Sequence, residues 1–157
     1  MVKSRFVVLL FLQACTLLAS VQACNINDIQ VKNATVLAGP PGQINTAGYA
    51  SIHNAGDKPC AIVSATSDFA KEVQLHTIKK IDDRFKMVPV KEFVIPAKGD
   101  LVLAPGGNHL MFMSLTKALK PKESVEVTLK FQDGAEKKIT ATVQDMRNAP
   151  AVDHQGH

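Results

Sequence analysis

This chain has no C-x-x-C pair, no long stretch with the 3.6-residue period of a helix, and no basic cluster interleaved with aromatics. Each absence removes a class of protein. Without C-x-x-C, the active-site chemistry of a thiol-disulfide enzyme is missing. Gly and Pro recur too often along the chain to leave room for long helices. Aromatic residues make up only 5% of the chain, and the formal charge of +4 falls to +2 once Lys3 and Arg5 leave with the leader described below. Neither figure supports nucleic-acid binding. Lys79, Lys80, Lys117, Lys120 and Lys122 are scattered and read as solvated surface. No internal repeat is present.

Residues 1–23 read as a signal peptide. Lys3 and Arg5 form a basic start, Phe6 to Leu18 is mostly apolar, and Val21-Gln22-Ala23 places small residues where a signal peptidase reads. The apolar stretch is too short for a comfortable membrane span. Cleavage after Ala23 leaves about 134 residues, enough for one domain with a modest core. The expected location is the periplasm.

Cleavage also leaves Cys24 first, and two readings of it stay open. A cysteine after a cleavage site is a site for lipidation, which would anchor the chain to a membrane, although Gln22 is large and polar where a lipoprotein signal carries a small residue. The other reading is a disulfide between Cys24 and Cys60, the two cysteines that remain after processing, formed in an oxidising compartment.

The mature chain reads as all-β. Candidate strands run over residues 29–37, 48–53, 60–67, 72–78, 85–90, 93–95, 100–103, 109–115, 124–131 and 137–143, separated by Gly-, Pro-, Asn- and Asp-rich turns. The last two form a hairpin across Gln132-Asp133-Gly134-Ala135. Such a series suggests a β-sandwich with Greek-key connections. The domain is expected over residues 24–145. From 146 to 157 the chain becomes a polar tail, expected to be flexible.

Four residues stand out. Ten residues separate His76 from Met87, twenty-one separate Met87 from His109, and one separates His109 from Met111. Two imidazoles and two thioethers make a soft ligand set that suits Cu(I) and suits hard cations poorly. Strand parity puts Glu72, Gln74 and His76 on one face with Val73 and Leu75 on the other, and puts His109, Met111 and Met113 opposite Leu110 and Phe112. His76 is therefore expected at or near the surface. Taken singly, a Met on a strand is more often core filler, and a lone His is more often a surface residue. Their joint occurrence is what points to a metal. Met113 is expected to line the site and keep it apolar. His154 and His157, with Asp153 as a further donor, form a candidate secondary Cu(II) site in the tail. His53, at a strand end, reads as structural.

The spacing His-x10-Met-x21-His-x-Met resembles the metal motif of the PCuAC family of periplasmic copper chaperones. The segments Gly48-Tyr49-Ala50-Ser51-Ile52-His53-Asn54 and Pro105-Gly106-Gly107-Asn108-His109-Leu110-Met111-Phe112-Met113 also read like the family. The likeness covers about Val31 to Val143. It narrows the fold to a cupredoxin-like Greek-key β-sandwich, and it implies that His76, Met87, His109 and Met111 converge on one Cu(I). Many members carry a Met two residues beyond the first His, where this chain has Ile78.

The resemblance implies a Cu(I) metallochaperone and no enzyme. Its implied task is delivery of copper toward the binuclear CuA centre of cytochrome c oxidase, with an oxidase subunit or a Sco-type thiol protein as partner. General copper buffering or resistance is the alternative. A cupredoxin electron carrier is a weaker one, because a blue-copper site needs a Cys thiolate beside its histidines and no cysteine lies in the His109 loop. A monomer is expected for the metal-free protein.

Overall fold

A computed structural model describes residues 24–148. The expected signal peptide and the tail histidines His154 and His157 lie outside the described residues. All ten expected strands are present: β1 (Ile29–Ala38), β2 (Thr46–Asn54), β3 (Cys60–Ser67), β4 (Ala70–Ile81), β5 (Arg84–Pro89), β6 (Phe93–Ile95), β7 (Gly99–Leu103), β8 (His109–Leu115), β9 (Ser124–Phe131) and β10 (Glu136–Asp145). A short 3-10 turn over Met146–Asn148 follows β10.

The largest departure from expectation is β4, which runs on through Lys79, Lys80 and Ile81 to meet Arg84, Phe85 and Lys86 of β5. The connection is only Asp82-Asp83, at φ of 51° and 58°. Two successive left-handed residues match the twist of a two-residue hairpin, and Asp accepts that conformation because its short side chain bonds locally. The pair of aspartates therefore does not stop the strands early. It lets them extend to the turn itself.

Hydrogen bonding runs in the order β5-β4-β8-β2-β1-β10-β9-β3-β6, with β7 paired to β2 and a further pairing between β3 and β4. Among the described residues, only β1 and β10 pair in parallel. The β3–β4 pairing, at Ala65 and Val73, brings the sheet back on itself. The result is a cupredoxin-like β-sandwich closed along one side, and β5 is left as an outer strand with one free edge.

The core lies between the layers. Phe69, Phe112, Phe131, Ile52, Ile62, Ile95 and Leu129 are fully buried. Each such side chain contributes about 1.5–3 kcal/mol by leaving water. Phe112 stacks near Phe69 with ring centroids 4.8 Å apart. A Cβ on Gly48 would stand 2.7 Å from the Phe112 ring. Glycine there lets the ring lie against the β2 backbone, which fixes the seat of β8 between β2 and β4.

Cys24 and Cys60 are joined in a disulfide, with Cα atoms 5.2 Å apart. The bond ties the start of the mature chain to the first residue of β3. Lys137 reinforces it by donating from Nζ to the Ile26 carbonyl at 3.1 Å.

Candidate metal centre

Three adjacent strands, β5, β4 and β8, carry the four expected ligands. In an antiparallel pair, residues directly opposite each other present their side chains to the same face. His76 of β4 faces His109 of β8, and Gln74 faces Met111. On the other flank of β4, His76 faces Pro89 and Ile78 faces Met87 of β5. All four candidate residues therefore share one face. His76 is the hub: His109 stands directly across from it, and both methionines are its diagonal neighbours. Diagonal positions lie about 7–8 Å apart, within reach of long side chains.

The two methionines approach from opposite sides. Met111 lies on the same flank as His109 and is half-buried. Met87 lies across β4 on the outer strand and is 51% exposed. His76, His109 and Met111 are thus contiguous, whereas Met87 comes in from the free edge.

His76 is half-buried, where parity sets it at or near the surface. His109 is only 3% exposed, although parity sets it on the outer face. Its neighbours account for the difference. The Tyr49 ring lies 6.5 Å away on one side, and the His76 ring lies 5.7 Å away on the other, edge-on at 69°. The turn before β8 folds back on itself, with Ala104 donating to the Asn108 carbonyl at 2.8 Å.

Hydrogen bonds fix which nitrogens are free. His109 Nδ1 lies 2.9 Å from the Gly107 carbonyl. A carbonyl only accepts, so Nδ1 carries the proton and Nε2 keeps its lone pair. Gln74 donates from its amide nitrogen to the Glu72 carboxylate at 2.8 Å, which leaves its Oε1 to accept from His76 Nε2 at 2.7 Å. His76 Nδ1 therefore keeps the lone pair. Among the described residues, His76 Nδ1 and His109 Nε2 are the imidazole nitrogens buried without any hydrogen-bond partner. A buried acceptor left unsatisfied costs about 1–3 kcal/mol, and a bound cation would relieve that cost.

The electrostatics favour a neutral His76 ring. Burial lowers the His76 pKa first, and the nearby His109 lowers it further. Burial raises the pKa of Tyr49, which keeps that ring neutral beside His109. Among the described residues, no three or more His, Cys, Asp or Glu side chains converge so that they could hold a metal ion. A metal held by the two imidazoles must find its other donors elsewhere, and the donors at hand are thioethers.

The remaining candidates fall as follows. Met113 lies opposite Glu72, next along β8 from Met111 on the same face. Ile78 sits directly across from Met87. His53 pairs with Asp100 of β7, Nδ1 to Oδ1 at 2.9 Å. The parts that residue types did not reveal are the holding contacts: the Gly107 carbonyl, the Gln74 amide, and the Tyr49 ring. Parity places Gln74 beside His76 but assigns it no role.

The chain belongs to the PCuAC-type family described as "Putative lipoprotein LpqE-like", whose model matches residues 29–143. A protein of Leifsonia xyli subsp. xyli, "Putative lipoprotein Lxx21020", is 36% identical over 122 residues, which is 77% of this chain and 72% of the relative. The solution structure of CuI-DR1885 from Deinococcus radiodurans is 36% identical, with a TM-score of 0.59 over 80% of this chain and 83% of that one. The apo PCuAC domain from PmoF1 is 27% identical, with a TM-score of 0.63 over 75% of this chain and 94% of that domain.

Proposed function

We propose that this chain is an exported Cu(I) metallochaperone that carries copper through the periplasm and hands it to an acceptor protein. One observation carries the reading: two buried imidazole nitrogens without partners lie among thioethers on one face of β5, β4 and β8. The likeness to a structure described as CuI-DR1885 supports the choice of metal. The ligands are His76, Met87, His109 and Met111, with Met113 as an apolar neighbour.

The donor set explains both holding and release. Cu(I) is soft and accepts imidazole and thioether together. Thioethers bind without losing a proton, so they place no pH demand on loading. Met87 stands exposed on the free-edge strand. An incoming donor can therefore attack copper from the β5 side while His76, His109 and Met111 still hold it.

The proposed acceptor is the CuA centre of cytochrome c oxidase, reached directly or through a Sco-type protein, and the working unit is a monomer. The tail histidines His154 and His157 are proposed as a secondary Cu(II) site. An electron-carrier role has less support, because Cys60 is bonded to Cys24 and offers no thiolate to a blue-copper site. General buffering differs from delivery only in lacking a specific acceptor.

Transfer tests the reading. Copper-loaded protein is mixed anaerobically with the apo soluble CuA domain of an oxidase subunit, and copper in each is measured after separation. Delivery predicts movement to the acceptor that is faster than with an equal amount of copper held by a small chelator. Equal rates would leave buffering as the better account.

A further inference from the structure

We infer that Gln74 is a positioning residue for copper: anchored by Glu72, it holds His76 with Nε2 protonated and Nδ1 turned to the metal. The inference rests on the Cu(I) site proposed above and specifies how one of its ligands is set.

Glu72, Gln74 and His76 alternate along β4 and share the ligand face. Their partners across the ladder are Met113, Met111 and His109. A row of polar side chains thus lies against a row of donors. The row is directional. A carboxylate can only accept, so Glu72 draws the amide NH2 of Gln74 toward itself at 2.8 Å. The Gln74 carbonyl oxygen is then left facing His76 Nε2 at 2.7 Å. An amide flipped the other way would offer an N–H to Nε2, move the proton to Nδ1, and aim that proton into the site. The Glu72 anchor excludes this arrangement.

The two histidines are held differently. His109 is fixed by the Gly107 carbonyl, a backbone group that no side-chain substitution removes. His76 depends on the side chain of Gln74. The two free lone pairs are consequently of unlike kind, Nδ1 on His76 and Nε2 on His109. Outer contacts of this sort orient metal-bound imidazoles, and their loss typically weakens metal binding about 10–100-fold.

The test is nitrogen-15 NMR of the histidine rings in residues 24–157, metal-free and loaded with one equivalent of Cu(I). It is combined with anaerobic Cu(I) competition titrations of the wild type, Gln74→Leu, Gln74→Glu and His76→Ala. In the wild type, the His76 Nε2 proton should remain visible after loading while the Nδ1 resonance shifts. Gln74→Leu should lose that proton signal to solvent exchange and bind Cu(I) about tenfold or more weakly. Gln74→Glu keeps an acceptor at the same place and should restore the signal. Loss of the Nε2 proton on loading the wild type would overturn the inference without recourse to any variant. So would unchanged affinity and an unchanged Nε2 proton in Gln74→Leu. His76→Ala separates the two levels of the argument: unchanged affinity there would sink the site itself, whereas weakened affinity there with no effect at Gln74 would sink only the positioning role.

Discussion

His76 and His109 stand directly opposite each other on neighbouring strands, with ring centroids 5.7 Å apart and one ring edge-on to the other. Each has one nitrogen engaged and one buried without a partner. Two rings this close do not readily carry two charges. Burial first, and the nearby His109 second, hold the His76 pKa below its ordinary 6.5.

A pH dependence follows. The folded metal-free protein resists protonating His76, whereas the unfolded chain protonates near 6.5. Below that value the unfolded state binds more protons, so stability falls with pH until the lowered folded pKa is passed. Above 6.5 both states hold His76 neutral and the contribution no longer changes with pH. The melting temperature of the apo protein should therefore drop as pH falls below 6.5, and His76→Asn should flatten the slope. Melting curves from pH 7.5 to pH 5 check this; an identical slope in the variant would contradict it.

Met87 should matter for copper and little for folding. Its side chain is 51% exposed on the edge strand, and exposed substitutions usually shift stability by no more than about 0.5 kcal/mol. Met87→Ala should leave the urea midpoint almost unchanged and release Cu(I) about tenfold faster to a competing chelator. Stopped-flow transfer measures the rate. A release rate equal to wild type would remove Met87 from the ligand set.

Gly48→Ala should cost stability and copper affinity together. The new methyl would press on Phe112, whose ring already lies 2.7 Å from that position, and overpacking of this kind costs about 1–3 kcal/mol. Urea denaturation should show the loss. Copper affinity should fall with it, because Phe112 lies between Met111 and Met113 on β8.

The disulfide should support the fold and not the site. Cys24 and Cys60 are 36 residues apart in sequence, and removing such a link typically costs about 2–4 kcal/mol. Cys60→Ser, studied as residues 24–157 so that the new terminus is defined, should unfold at lower urea while keeping wild-type Cu(I) affinity. A sulfur engaged in this bond also carries no lipid. Intact mass of the exported wild type should match the unmodified oxidised chain, and an added diacylglyceryl mass would contradict that.

Much of the fold was legible because strand signals are local. Alternation and turn residues located all ten strands, and four of them, including β3 and β8, have the expected bounds. The late end of β4 and the early start of β5 trace to Asp82-Asp83, a pair that signals a break by residue type and here forms a tight hairpin turn. Face assignment was equally legible: parity put Gln74 with His76, and Met111 with His109. Register across strands was not, since it depends on which distant segments pair. So neither the His76–His109 opposition nor the burial of His109 under Tyr49 could be read from spacing. The Gly107 carbonyl leaves no trace in residue types at all.

The most direct test of the account is an anaerobic Cu(I) competition titration of residues 24–157 beside His76→Ala, His109→Ala and Met111→Ala. The account predicts one tight equivalent in the parent and affinity weakened by at least tenfold in each variant, with the folded state retained. Undiminished tight binding in all three would contradict the shared face of β5, β4 and β8 as the copper site.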